Sequence, residues 1–133
     1  MPEAPSEITL TAGDIRELQL AKAAIRAGIE LLAQKLGVRV ADIRKVYLAG
    51  AFGNYMDPAS ACRIGMIPPV LLNRIHPIGN AAGAGAKLCA LNREEFIYSQ
   101  HLAAETEFLE LASLPQFQDC YVDALEFSEE EDA

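Results

Sequence analysis

The sequence predicts an α/β domain whose sheet is incomplete and flanked by helices, and three observations carry that prediction. An uncharged run, Val46-Tyr47-Leu48-Ala49, reads as a buried strand that ends at Gly50. A second segment around Ile75 leads in the same way to the glycine-rich stretch Gly79-Asn80-Ala81-Ala82-Gly83-Ala84-Gly85-Ala86, and helical periodicity surrounds both. Strands that alternate with helices indicate an α/β architecture. So few strands for so much helix imply that further strands come from upstream or from another chain. Gly53, three residues past Gly50, leaves main-chain N–H groups without a shielding Cβ. Ligands of open α/β sheets lie beyond the carboxyl ends of the strands, so two such ends point to one shared site.

Ile8-Thr9-Leu10 is read as a short strand or an extended lead-in. Thr11-Ala12-Gly13-Asp14 then resembles a capping box, with negative character at the positive end of a helix dipole. Ile15, Leu18, Ala21, Ile25, Ile29, Leu32 and Leu36 recur at helical spacing until Gly37 offers a stop. The helix is about 25 residues, on the order of 37 Å. Residues 38–44 connect it to the Val46 strand and the first glycine loop. Asp57-Pro58 is a helix start with aspartate as N-cap, and this short helix stops near Gly65. The prolines of Ile67-Pro68-Pro69-Val70 exclude a central strand. From Asn80 an alanine-rich helix runs to Leu91, a further helix fits residues 93–105, residues 107–111 alternate like a short strand, and residues 115–127 form a closing helix.

Composition narrows the function classes. With 133 residues, 51% of them hydrophobic and 23% charged, the chain is one domain or a large piece of one. Its net charge of -8 and scattered basic residues oppose nucleic-acid binding through phosphates. The amino-terminal residues carry no signal-peptide pattern and no apolar run is long enough to span a bilayer, so a cytoplasmic location without membrane contact is expected. Cys62, Cys89 and Cys120 are far apart, so neither a disulfide framework nor a zinc site is indicated, and reduced, packed thiols are expected. His76 and His101 have no pattern of a metal pair. No serine stands in a nucleophile-elbow setting, and no catalytic residue is assigned.

Residues 14–28 (headed by Asp14-Ile15-Arg16-Glu17, with Ala21-Lys22-Ala23-Ala24 at their centre), residues 46–57, Arg63-Ile64-Gly65, residues 79–86 and Phe117-Gln118 together carry a resemblance. The chain is similar over nearly its whole length to the C-terminal part of the reductive activators of corrinoid proteins, within the sugar kinase, heat-shock chaperone and actin superfamily of ATPases. The resemblance implies the second lobe of an actin-like, sugar-kinase-like (ribonuclease H-like) fold. It implies that residues 48–54 are the adenosine motif and that residues 79–86 open a helix linking two lobes. Such activators couple ATP turnover, with Mg²⁺, to reduction of a cobalt(II) corrinoid to cobalt(I), the electron coming from an N-terminal [2Fe–2S] domain. The ferredoxin-like cysteines and the phosphate loops are not in this chain. ATPase chemistry would then belong to a larger protein, and the isolated chain is expected to be inactive. The implied organisation is an extension at 1–10, the lobe at 11–127 and an acidic disordered tail at 128–133.

Within that resemblance Gly50, Ala51, Phe52, Gly53 and Asn54 would form the floor and wall for adenine and ribose, against the plain alternative of a tight strand-to-helix turn. Gln19, Lys22 and Arg26 share one helical face and would offer polar and basic groups to the base and ribose, or else form a solvated face. Gly79 and Asn80 would bring a helix start near the nucleotide, or serve packing alone. The expected partners are a corrinoid protein of a methyltransferase system, the upstream lobe with its ferredoxin-like domain, and a possible second copy. The competing function is a non-catalytic interaction or dimerisation domain that docks a corrinoid protein or a partner lobe.

Overall fold

A computed structural model describes residues 8–127. The acidic tail and the start of the extension lie outside the described residues. Residues 8–10 form no strand and lead directly into helix α1, Ala12–Lys35. The capping box forms as expected: the Thr11 N–H donates to Asp14 Oδ2 at 2.8 Å, and the Asp14 N–H donates to Thr11 Oγ1 at 3.2 Å. At the other end Gly37 takes φ 67°, the Gly37 N–H donates to the Gln34 carbonyl and the Val38 N–H to that of Ala33. That is a Schellman stop, and glycine is the residue for which its left-handed turn costs least.

A 3₁₀ turn at Val40–Asp42 leads to strand β1, Val46–Ala49, which runs into helix α2, Gly50–Tyr55. Helix α3, Pro58–Arg63, is capped by Asp57, whose Oδ2 accepts from the Ser60 N–H at 2.8 Å. It closes with a second Schellman stop at Gly65, φ 79°. Proline-started 3₁₀ turns at Pro69–Arg74 precede strand β2, Ile75–Gly79. Helix α4, Ala81–Leu91, helix α5, Arg93–Glu105, a 3₁₀ turn at Leu111–Ser113 and helix α6, Phe117–Asp123, complete the order.

Among the described residues β1 and β2 form a two-stranded parallel sheet, with Val46 opposite Ile75, Tyr47 opposite His76 and Leu48 opposite Pro77. The register then slips, so that Ala49 faces Gly79. The core lies against one face of this sheet. Ala61, Cys62, Met66, Ile67 and Leu71 are buried there, with Val46, Leu48 and Ile75 packed onto them. Tyr47 and Ile78 remain exposed.

Three expectations change. Residues 50–55, read as a glycine loop, are helical, because Gly50 makes the turn at φ 73° and the following residues need no further left-handed backbone. Residues 107–111 form no strand, since among the described residues only β1 and β2 pair; instead the chain reaches the 3₁₀ turn at Leu111. The closing helix is confined to seven residues, and its trailing carbonyls bond to α1. The apolar stripe of α1 also behaves differently from a simple amphipathic helix. Its buried residues are Lys22, Ala23, Ala27, Gly28, Leu31 and Ala33, most of them small, and a Cβ on Gly28 would lie 3.3 Å from Leu111 Cδ1. Small residues let the helix approach its neighbours closely, while Leu18, Leu32 and Leu36 of the stripe stay partly exposed. No helix among the described residues is long and apolar enough to cross a membrane.

Candidate functional site

The parallel pairing places the ends of β1 and β2 side by side. Gly50, φ 73°, follows Ala49, and Gly79, φ 61°, pairs with Ala49. Both turns use backbone that residues with a Cβ rarely adopt. Helix α2 then folds back so closely that a Cβ on Gly53 would sit 2.2 Å from the Leu48 carbonyl oxygen and 3.4 Å from the Gly79 nitrogen. A Cβ on Gly79 would lie 3.2 Å from Asn54 Oδ1. Asn80 caps α4, its Oδ1 accepting from the Gly83 N–H at 2.9 Å. Gly50, Gly53, Asn54, Gly79 and Asn80 therefore meet at one end of the sheet. Phe52 belongs to α2, and the expectation for its side chain lies outside the described residues.

Ala51 faces a different feature, an apolar groove of about 480 Å³ between α1, α2 and α3. Leu18, Tyr55, Met56, Ile64 and Met66 line it with Ala51, and Asp57 and Ser60 also contribute to the lining. The Ser60 hydroxyl donates to Asp57 Oδ2 at 2.6 Å, and this bond holds the Asp57 carboxyl below its usual range. Sequence reasoning did not single out Tyr55 or this groove. The available signal was a lone aromatic directly after Asn54.

Gln19, Lys22 and Arg26 do share a face of α1, but that face meets the end of α6. Lys22 is 1% exposed, and its ammonium donates to the carbonyls of Ala124, at 2.7 Å, and of Glu126. The Phe127 ring centroid lies 4.9 Å from Nζ, a cation–π contact. Gln19 Nε2 donates to the Leu125 carbonyl at 3.2 Å, and Arg26 pairs with Glu30. Burial pulls the Lys22 pKa below the ordinary lysine value, and neighbouring Arg26 adds to the effect. Lys22 and Arg26 line a polar cavity of about 190 Å³ with Cys120 and Asp123. None of the five residues at the sheet end lines it. Burial, followed by the carboxylates of Glu30, Asp123 and Asp119, raises the Cys120 thiol above its usual range.

Cys62, Cys89 and Cys120 are free thiols, Cys62 within the core. Among the described residues no group of three or more His, Cys, Asp or Glu side chains is placed to hold a metal ion. At Gly50 a Cβ would meet nothing within 4 Å, so the turn out of β1 is open on that side.

Comparison with known proteins agrees with this architecture. Residues 2–133 match the family described as the C-terminal domain of RACo, the ASKHA domain. The chain is 40% identical over 116 residues to the corrinoid activation enzyme RamQ of Eubacterium limosum, covering 87% of this chain and 20% of that protein. It is 33% identical over 86 residues to the [Co(II) methylated amine-specific corrinoid protein] reductase of Methanosarcina barkeri, covering 65% of this chain and 16% of that protein. Its fold superimposes on a solved reductive activator for corrinoid, iron-sulfur protein with a TM-score of 0.81 at 31% identity, over 89% of this chain and 19% of the other. The chain therefore spans about a fifth or less of the length of these relatives. With its parallel strand pair, its glycine turns and the match along almost its whole length, the chain belongs to the family of C-terminal ASKHA domains of corrinoid-protein reductive activators.

Proposed function

We propose that this domain supplies the adenosine side of a nucleotide cleft in an ATP-dependent activator that returns cobalt(II) corrinoid proteins to cobalt(I). The observation that carries the reading is the pair of glycine turns, Gly50 and Gly79, on adjacent ends of parallel strands, with Gly53 and Asn54 packed between them. Such a juncture lets backbone N–H groups approach a ligand at the end of the sheet where α/β folds bind them. Asn54 can donate and accept. The phosphate groups, Mg²⁺ and the reducing [2Fe–2S] centre would be handled by other parts of the activator. Its reducing, cytoplasmic setting agrees with the three free thiols.

The test is calorimetric titration with ATP and adenosine. The chain is titrated alone, and again after mixing with the polypeptide that precedes the matched region in the Eubacterium limosum enzyme. The proposal expects binding in the mixed sample and a loss of about tenfold on Asn54→Ala, the size of one hydrogen bond to a ligand. Absence of nucleotide binding in both samples would leave the interaction-domain reading in its place.

A further inference from the structure

We infer that helices α4 and α5 form an arm that docks on the polypeptide preceding this domain in the activators, with Ile97 and Tyr98 as its central contacts. The inference rests on the reading of the domain as one side of a cleft, and it adds the surface that holds the two sides together. No residue of either helix is buried by the described residues. On α5 only Ser99 is even half-buried, and on α4 only Ala81, Gly85 and Cys89, a stripe at i, i+4 and i+8. Leu88, Leu91, Phe96, Ile97, Tyr98 and Leu102 are all exposed, from 44% for Ile97 to 77% for Leu91. Single apolar side chains scattered over a surface need no explanation, but six on two adjoining helices mark a face that something else covers. Ile97 stands two positions from Ser99, about 200° around the helix, and so on the side away from it, with Tyr98 next to it. Tyrosine is among the residues that contribute most at the centre of an interface.

The turn between the helices is fixed in advance. Asn92 ends α4 and caps α5, its Oδ1 accepting from the Glu94 N–H at 2.9 Å, and the Cys89 thiol donates to the Glu95 carbonyl at 3.8 Å across the turn. A face already ordered costs less to bind than one ordered on contact. Three observations name its occupant. The chain belongs to a family of C-terminal domains and spans about a fifth or less of its relatives, so in them a far longer polypeptide precedes the arm. The arm starts after Asn80, beside Gly50, Gly53 and Gly79, so a partner seated on its root stands at the end of the sheet where a second wall of the cleft belongs. Charge opposes a second copy as the occupant: α5 carries Glu94, Glu95 and Glu105 against Arg93, and two copies in arm-to-arm contact set carboxylates against carboxylates.

The experiment mixes this chain with the polypeptide that precedes the matched region in the Eubacterium limosum enzyme. Association is followed without nucleotide by sedimentation and calorimetry, with melting temperature as the control for folding. The inference expects a one-to-one complex that is weakened about tenfold or more in Ile97→Glu and in Tyr98→Ala at an unchanged melting temperature. Val70→Glu, at an apolar residue exposed outside the arm, is expected to leave the complex as it is. A complex indifferent to both arm variants overturns the arm as the docking surface, and the adenosine reading is then decided separately by nucleotide titration of that complex. Self-association of the chain alone that Ile97→Glu abolishes puts a second copy in the partner's place and overturns the inference. Absence of a complex overturns it as well, and nucleotide binding by the chain alone would still support the adenosine reading. An arm-dependent complex that binds no nucleotide upholds the docking and overturns the adenosine reading.

Discussion

Gly53 has no space for even a methyl group, and the obstacle is main chain. The Leu48 carbonyl oxygen cannot swing aside without breaking the exit of β1. Gly85, in the same family of small residues, has nothing within 4 Å of a built Cβ and lies inside α4. The two substitutions are therefore opposite in sign. Gly53→Ala is expected to destabilise by about 3 kcal/mol or more, as overpacking against rigid atoms does. Gly85→Ala is expected to stabilise by about 0.5–1 kcal/mol through helix propensity and the unfolded chain. Chemical denaturation of the two variants beside the parent measures both, and equal effects would mean that the closeness of α2 to β1 is not what selects glycine.

Elements were legible where their signals are local. Thr11 with Asp14, Asp57 with Pro58, and Gly37 and Gly65 mark their own helix ends, because a cap is satisfied by atoms three to five residues away. Asn80 belongs to this group. Asn80→Ala removes the acceptor of the Gly83 N–H and is expected to cost about 1 kcal/mol, most of it recovered in Asn80→Asp, as read by thermal unfolding. The illegible parts depend on distant partners. Gly50-Ala51-Phe52-Gly53 looks like a loop from composition, and only packing on Leu48 and Gly79 makes it helical. Residues 107–111 alternate like a strand yet find no neighbouring strand among the described residues. The buried side of α1 is built mostly from Ala23, Ala27, Gly28 and Ala33, with Leu31 and Lys22, and none of these is among the Leu and Ile positions picked out by the periodicity, several of which stay exposed. At the candidate site the glycine turns were readable. The commitment of Lys22 to carbonyls more than a hundred residues away was not.

The whole molecule is closed by that same lysine. Its folded pKa lies below 10.5, so between the lowered value and 10.5 the unfolded chain binds more protons than the folded one. Stability from this group therefore rises with pH across that window, and below it the charged side chain bears the cost of burial in full. Denaturant unfolding of the parent and of Lys22→Met, compared from neutral pH upward, is expected to show the parent gaining on the variant as pH approaches 10.5. A constant difference would mean that Lys22 titrates as it does in the unfolded chain. Lys22→Met should also be the less stable protein at neutral pH, because the carbonyls of Ala124 and Glu126 lose their donor.

Synthesis runs from the amino end, so α1 is made well before the acceptors of its buried ammonium, which lie more than a hundred residues further along the chain. Until Ala124 and Glu126 have been added, Lys22 lacks its two carbonyl acceptors, and the Phe127 ring follows them. The nascent helix must carry an unburied cation and the bare alanine surface beside it while the residues that separate Lys22 from those carbonyls are translated. Closure over Lys22 is thereby timed to the arrival of α6, and a ribosome stalled shortly before that point would hold an α1 without the segment that buries its ammonium.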